Sequence, residues 1–118
     1  MRRVLIADDN IDAAESLQLW LQMAGHEVHI AHDGTDALAA AESLRPEIVV
    51  LDLGMPGMNG FDVARRIRQT RWGREMVLIA LTGWGQEEDR RQTTAAGFDH
   101  HVTKPVPPDD IEELIRTV

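Results

Sequence analysis

The chain has 118 residues, a formal net charge of −8 at pH 7 and no cysteine. This length suits one domain that buries its own hydrophobic core, and the missing cysteines exclude disulfides, thiol catalysis and thiol metal sites. The acidic balance argues against a nucleic-acid-binding surface, because phosphate contacts need clustered Lys and Arg.

Short apolar runs alternate with helical patterns from one end of the chain to the other. Gly25 and Gly97 end the first and fourth helices, and Pro46 ends the second, because a residue before proline disfavours helix. In chain order the predicted strand and helix pairs are Val4–Ala7 with Asn10–Ala24, Glu27–Ala31 with Gly34–Leu44, Ile48–Leu51 with Phe61–Gln69, Val77–Leu81 with Gln86–Ala96, and the run around Val102 with Asp109–Val118.

This alternation predicts an α/β fold. Nearly continuous apolar strands are typical of parallel sheets that are covered by helices on both faces. We expect a five-stranded parallel sheet with right-handed crossovers and strand order 2-1-3-4-5, in which the topology switches between the first and third strands. Residues 1–118 are expected to form a single domain.

Polar side chains stand where the predicted strands end. Asp8 and Asp9 follow the first strand, Asp52 the third, Thr82 the fourth and Lys104 the fifth. Ligands of such open sheets bind outside the carboxyl ends of the strands, so these groups should meet in one crevice. Three carboxylates, a hydroxyl and an ammonium indicate a site for a divalent cation and a phosphoryl group.

Four segments in this order carry a resemblance to a known family. They are the pair Asp8-Asp9, LDLGMPGMNG around Asp52, ALTGWG around Thr82 and HVTKPV around Lys104. The chain resembles a receiver domain of two-component response regulators, and its last third is similar to receivers of hybrid sensor histidine kinases. Whether it stands alone or belongs to a hybrid kinase stays open.

The resemblance implies a phosphorylation-controlled switch. Asp52 would accept a phosphoryl group from the phosphohistidine of a histidine kinase or a histidine phosphotransfer protein. Lys104, preceding a cis peptide bond to Pro105, and Thr82 would hold that group. The output surface would be the fourth helix, the fifth strand and the fifth helix, facing an effector domain or partner.

A magnesium ion is the expected cofactor. Asp9 and Asp52 would bind it directly and Asp8 through a water, because Mg²⁺ prefers oxygen ligands and keeps several waters. The resemblance adds the main-chain carbonyl of Gly54 as a ligand. It also pairs Thr82 in switching with His101, which stands where receivers usually carry Tyr or Phe.

Simpler interpretations exist for each motif. Asp8 and Asp9 could form only a helix-capping turn with Asn10, Thr82 only a turn before the fourth helix, and Lys104 an ordinary loop cation. The histidine pairs His29 with His32 and His100 with His101 lack the helical spacing of a zinc site, so we interpret them, with the exception of His101, as surface or strand residues.

Two other functions remain as alternatives. A Mg²⁺-dependent phosphohydrolase with an aspartate nucleophile usually carries a second aspartate where Gly54 stands. An inert receiver that serves only as an interaction module would not need the acidic pair or Lys104. We expect no enzyme with turnover of its own. Neither Gly54 nor Trp84 offers a carboxylate or amide to orient a hydrolytic water, so the phosphorylated state should be long-lived.

The chain shows no sign of membrane insertion. No apolar run approaches the ~20 residues of a membrane span. The first residues reach the charged Asp8 too soon for a signal peptide. We therefore expect a cytoplasmic protein.

Overall fold

The structure, a computed structural model, describes residues 1–83, 90–105 and 107–118. Strands and helices alternate through these residues, as the sequence predicts. The strands are β1 (Arg3–Ala7), β2 (Glu27–Ala31), β3 (Ile48–Asp52), β4 (Val77–Thr82) and β5 (His100–Thr103). The helices are α1 (Ile11–Met23), α2 (Gly34–Leu44), α3 (Gly60–Gln69), α4 (Arg90–Ala96) and α5 (Pro108–Thr117). No helix within the described ranges is long and apolar enough to cross a membrane.

The five strands form one parallel sheet in the order β2-β1-β3-β4-β5. This order confirms the predicted topology. In the register, Ala7 of β1 lies beside Leu51 of β3, and Asp52 lies beside Leu81 of β4. The strand ends of β1 and β3 therefore reach the same edge of the sheet.

Alternate strand residues pack into two hydrophobic layers, one on each face. Leu5 and Val49 point to the layer that α2 and α3 cover, whereas Ile6 and Val50 point to the layer that α1 and α5 cover. All four side chains are fully buried. Burial on both faces explains why the strands read as continuous apolar runs, since each buried aliphatic side chain contributes about 1.5–3 kcal/mol.

Three helices begin at side chains that accept a hydrogen bond from their first turn. The Oδ1 atoms of Asn10, Asp33 and Asn59 accept from main-chain amides three residues later, at 2.7–3.1 Å. The helix α1 begins one residue later than predicted, because Asn10 caps it instead of belonging to it. The helix α2 begins at Gly34 as predicted, and α3 begins at Gly60, one residue earlier than predicted. The predicted fourth helix began at Gln86. Its first residues lie outside the described ranges, and the described part is Arg90–Ala96.

Arg68 fastens the last part of the sheet to α3. Its guanidinium donates to the carbonyl oxygens of Gly73, Met76 and Gly97 at 2.7–2.9 Å and pairs with Asp99 at 2.7 Å. The planar guanidinium can serve several acceptors at once. One side chain thus joins the α3–β4 connection to the turn before β5.

Candidate functional site

Three aspartates lie together at the carboxyl end of the sheet. Asp8 follows β1, Asp52 ends the neighbouring β3, and Asp9 is beside them; each offers an oxygen within 4.8 Å of the others. The residues Asp8 and Asp52 are only 3% and 8% exposed, whereas Asp9 is exposed. The sheet order produces the cluster that the sequence predicts.

Lys104 places its ammonium group beside this cluster. Its Nζ lies 3.3 Å from Oδ2 of Asp8 and 3.4 Å from Oδ2 of Asp52. The main-chain amide of Lys104 donates to the carbonyl of Thr82 at 2.7 Å, and the Lys104–Pro105 peptide is cis, as expected. One ammonium therefore faces two buried carboxylates and a third nearby.

The charge of Asp8 is only partly compensated. Burial is the main cause that raises the pKa of Asp8 above its ordinary value, and the neighbouring carboxylate of Asp52 adds to the effect. A hydrogen bond from the main-chain amide of Asn10 to Oδ1, 3.0 Å long, and the charge of Lys104 act in the opposite direction. The cluster keeps an excess of negative charge, and its all-oxygen donor set fits a hard divalent cation.

The loop that follows β3 holds the side chain of Asp52. Its Oδ1 accepts the main-chain amide of Gly54 at 3.1 Å, while Oδ2 faces Lys104. Behind it, the first residue of α3 packs so closely that a Cβ at Gly60 would lie 2.6 Å from the Asp52 carbonyl oxygen. This close contact leaves the main chain of Asp52 little freedom to shift.

The loops around this site depend on a second close approach that the sequence did not predict. A Cβ at Gly34, the first residue of α2, would lie 1.9 Å from the carbonyl oxygen of Met58. A glycine directly after a capping residue was the available signal at both Gly34 and Gly60, since glycine permits close contact between segments of main chain.

Thr82 is fully buried and its hydroxyl is turned to β5. Oγ1 lies 3.1 Å from Nε2 of His101, with longer contacts to the carbonyl of Val102 and the hydroxyl of Thr103 at 3.4 and 3.5 Å. The other nitrogen of His101, Nδ1, lies 3.4 Å from Oγ1 of Thr93 in α4. The sequence predicted roles for Thr82 and His101 but gave no signal for Thr93.

His29 and His32 each contact a neighbouring polar atom of the protein. His29 contacts Glu27 at 2.9 Å, and His32 contacts the carbonyl of Asp8 at 3.4 Å. In the described part of the chain, the three aspartates are the only group of three side chains of the metal-ligating type within reach of one ion. Asn10 does cap α1, so the capping turn and the acidic cluster coexist. Trp84 lies outside the described residues.

Comparison with known proteins identifies the family. The sequence matches the response regulator receiver domain over residues 4–116. The chain belongs to this family. Receiver domains of response regulators act as signalling switches in two-component systems, and phosphorylation and Mg²⁺ binding are general properties of the family.

Individual relatives agree with this assignment. An uncharacterized 14.6 kDa protein of Leptolyngbya boryana is 37% identical over 98% of this receiver and 86% of its own length. The DNA-binding regulator RpaA of Synechocystis is 36% identical over 100% of this receiver. Among solved structures, chemotaxis protein CheY4 of Vibrio cholerae has a TM-score of 0.93 at 30% identity, covering 100% of this receiver and 98% of that chain.

The relatives differ in length. This receiver spans 48% of RpaA and about half of the MtrA regulators, which are named as DNA-binding proteins. DNA binding is a property of those longer proteins.

Proposed function

We propose that residues 1–118 act as one receiver domain that takes a phosphoryl group from a phosphohistidine onto Asp52. An oxygen of Asp52 attacks phosphorus, the bond between phosphorus and the histidine nitrogen breaks, and that nitrogen leaves with the electron pair. The observation that carries the proposal is the position of Asp52 at the end of β3, buried between Asp8 and Lys104.

The charges around Asp52 suit this transfer. The Lys104 ammonium, 3.4 Å from Asp52, would pair with an oxygen of the incoming phosphoryl group, and the Thr82 hydroxyl would donate to another. Positioning and charge neutralisation are the main contributions that a protein makes to phosphoryl transfer. Both side chains are fixed to adjacent strands, since the amide of Lys104 donates to the carbonyl of Thr82.

Asp9 and Asp52 would hold Mg²⁺ directly, Asp8 would hold one of its waters, and the carbonyl of Gly54 would complete the protein ligands. The bound ion would supply neutralisation of a phosphoryl oxygen and of the carboxylates themselves. The exposure of Asp9 supports this assignment, because an exposed ligand leaves coordination positions open to water.

The expected donors are a histidine kinase or a histidine phosphotransfer protein. The phosphate carries about −1.5 to −2 charges at pH 7 and would reorganise the groups that bind it. The changed surface would comprise α4, β5 and α5, which an effector domain or separate partner would recognise. The domain would be phosphorylated and dephosphorylated in this cycle and would not turn over a substrate of its own.

Phosphorylation by a small-molecule donor tests the proposal. The protein is incubated with acetyl phosphate and Mg²⁺, and the added mass is measured on the intact chain. We expect one phosphate on the parent, none on Asp52→Asn, and one on the control Asp36→Asn, whose carboxylate is exposed on α2.

The outcomes separate the alternatives. Equal labelling of Asp52→Asn would reject the acceptor. No labelling of the parent, with or without Mg²⁺, would favour an inert interaction module. Continuous release of inorganic phosphate from a phosphate monoester, in large excess over protein, would favour a phosphohydrolase.

A further inference from the structure

Positive charge is concentrated in one segment of this acidic chain. Residues 60–75, which comprise α3 and the turn after it, contain five arginines and two acidic residues, a formal charge of +3. The remaining residues carry a formal charge of −11. Two of the five arginines have counter-charges, since Arg65 pairs with Asp62 at 3.3 Å and Arg68 with Asp99 at 2.7 Å.

The other three arginines of the segment have no counter-charge. The side chains of Arg66, Arg71 and Arg74 are exposed, and they make no ion pair or hydrogen bond with the residues that the structure describes. We refer to these three side chains as the α3 arginine surface. A guanidinium is planar and matches a carboxylate with two parallel hydrogen bonds. Three such groups on adjoining parts of the chain indicate an anionic partner.

The main chain beneath the α3 arginine surface is ordered. The amide and hydroxyl of Thr70 donate to the carbonyl of Ile67 at 3.0 and 2.6 Å, and the amide of Gly73 donates to Oγ1 of Thr70 at 3.0 Å. Arg68 also donates to the carbonyl of Arg74 at 3.1 Å. These bonds hold the turn against the end of α3, so a partner would meet a preformed surface at a lower cost in entropy.

Nucleic acids and membranes fit this surface poorly. Single-stranded nucleic acid stacks on aromatic rings, but Trp72 packs against the core and carries the guanidinium of Arg45 on its ring, 5.1 Å from the centroid. Membrane surfaces take up exposed apolar side chains together with cations. Among the described residues, the large apolar side chains that are exposed belong to Met1 and α1.

A second copy of the chain also fits poorly. In a symmetric pair the same residues of both copies meet, so arginine would face arginine. A contact between two different faces would continue from copy to copy as a ring or a filament. Charge complementarity therefore favours a different protein that presents carboxylates.

We propose that the α3 arginine surface docks an acidic segment of another protein, whose Asp and Glu carboxylates pair with Arg66, Arg71 and Arg74. This docking goes beyond the proposed phosphoryl transfer. The first residue of α3 packs against Asp52, and the helix extends about 15 Å over its ten residues. The partner would thus bind at the far end of α3 and leave the candidate phosphorylation site accessible.

Fluorescence anisotropy with an acidic peptide tests the charge pairing. The probe is a short fluorescein-labelled peptide in which glutamate alternates with serine, and a second peptide carries glutamine in place of each glutamate. At low ionic strength we expect the parent to bind only the acidic peptide. The triple variant Arg66→Gln, Arg71→Gln, Arg74→Gln should bind it ~10-fold more weakly. Absence of binding to the parent, or equal binding to the triple variant, would overturn the proposal.

A charge-matched control separates this surface from the overall charge of the chain. The triple variant Arg2→Gln, Arg3→Gln, Arg116→Gln removes the same number of cations from side chains that pair with glutamates. We expect it to bind the acidic peptide as the parent does. A loss as large as that of the first triple variant would show a general charge effect and would contradict the proposal.

NMR of the unsubstituted protein locates the peptide without relying on the folding of any variant. The whole chain is labelled with ¹⁵N and titrated with the acidic peptide. We expect the amide shifts to change in the second half of α3 and in residues 70–75, and to stay constant in α1 and α5. Changes confined to other elements would overturn the proposal.

Competing partners are tested at the same ionic strength. Labelled oligouridylate and phosphatidylserine vesicles replace the peptide, and sedimentation measures self-association of the parent. Tighter binding of either probe than of the peptide, lost in the variant of Arg66, Arg71 and Arg74, would reject an acidic protein segment in favour of that partner. Self-association lost in the same variant would reject it in favour of a second copy.

Discussion

The two ends of the sheet use the same kinds of charged side chain in opposite ways. At the amino end, Arg3 pairs with Glu27 at 2.6 Å and Arg2 with Glu47 at 2.9 Å, and all four side chains are at least one-third exposed. Each of these charges has its counter-charge. At the carboxyl end, Lys104 is the one cationic side chain among the described residues that pairs with the aspartate cluster, contacting Asp8 and Asp52.

The difference distinguishes exposed, paired charges on the surface of the fold from buried charges that belong to a candidate functional site. Exposed pairs contribute about 0–1 kcal/mol, because water already solvates both partners. Buried carboxylates without full compensation oppose folding, so their presence indicates a ligand or a reaction. The excess charge at the carboxyl end should therefore respond to substitution differently from the exposed pairs at the amino end.

Mg²⁺ affinity should show the largest difference between substitutions at the two ends of the sheet. Asp9→Asn is expected to weaken Mg²⁺ binding by ~10-fold or more, because a neutral amide oxygen replaces a charged ligand. Glu27→Gln, at the amino end, is the matched control and should bind as the parent does. Calorimetric titration measures both. Equal affinity in Asp9→Asn would show that the ion is held elsewhere.

Disrupting the close packing behind the site should have the next largest effect, which is on the free energy of unfolding. Gly34→Ala is expected to lower the free energy of unfolding by about 1–3 kcal/mol, because its Cβ would meet the main-chain oxygen of Met58. Gly54→Ala is the control, since the nearest atom to a Cβ there is Oδ1 of Asp52 at 3.7 Å. Urea unfolding compares them. A parent-like Gly34→Ala would mean that α2 moves without cost.

Removing one negative charge from the aspartate cluster should stabilise the metal-free domain. In the presence of a chelator, Asp8→Asn is expected to raise the free energy of unfolding by about 1 kcal/mol, because the amide still accepts from Asn10 without repelling Asp52. At the amino end, Glu47→Gln should give no gain, since it loses its pair with Arg2. A less stable Asp8→Asn would show that Lys104 fully compensates the cluster.

The smallest effect is expected from a hydrogen-bonded pair that anchors α5. Nδ1 of His26 accepts the amide of Arg2, so Nε2 of the neutral ring donates to Glu112 at 3.1 Å. This bond, followed by the lesser effect of Arg116, lowers the pKa of Glu112.

A lowered pKa in the folded state means that the stabilisation is present above about pH 4.3, the ordinary value for a glutamic acid, and is lost below it. Glu112→Gln should therefore be slightly less stable than the parent at pH 7, and the two should converge as the pH falls. Thermal unfolding at several pH values tests this. A constant difference would contradict the assigned cause.

The sequence predicted the sheet because its information is local and repeated. Each apolar strand, such as Ile48–Leu51, ends at a polar residue, and the alternation of strands and helices restricts the topology to few choices. The cluster followed from that order alone, because neighbouring strand ends bring Asp8 and Asp52 together. The weakest strand signal was β5, whose four residues are only partly buried and begin with two histidines.

Contacts between distant segments could not be predicted in the same way. The approach of Gly34 to Met58 depends on how a helix start packs against a loop, which no periodicity encodes. In the sequence, Thr93 is one of several polar residues of a short helix. Only the fold shows that His101 of β5 lies beside it. Such pairs are fixed by tertiary packing rather than by local pattern.

The Arg68 contacts constrain how this domain can diverge in evolution. Its guanidinium serves carbonyls of two separate turns, and Gly97, at φ +103°, could not gain a Cβ without meeting the Arg68 side chain at 2.5 Å. Lysine has one ammonium and cannot reach the same set of acceptors. Positions 68 and 97 should therefore change together in descendants of this sequence, and a library randomised at both should return arginine with glycine.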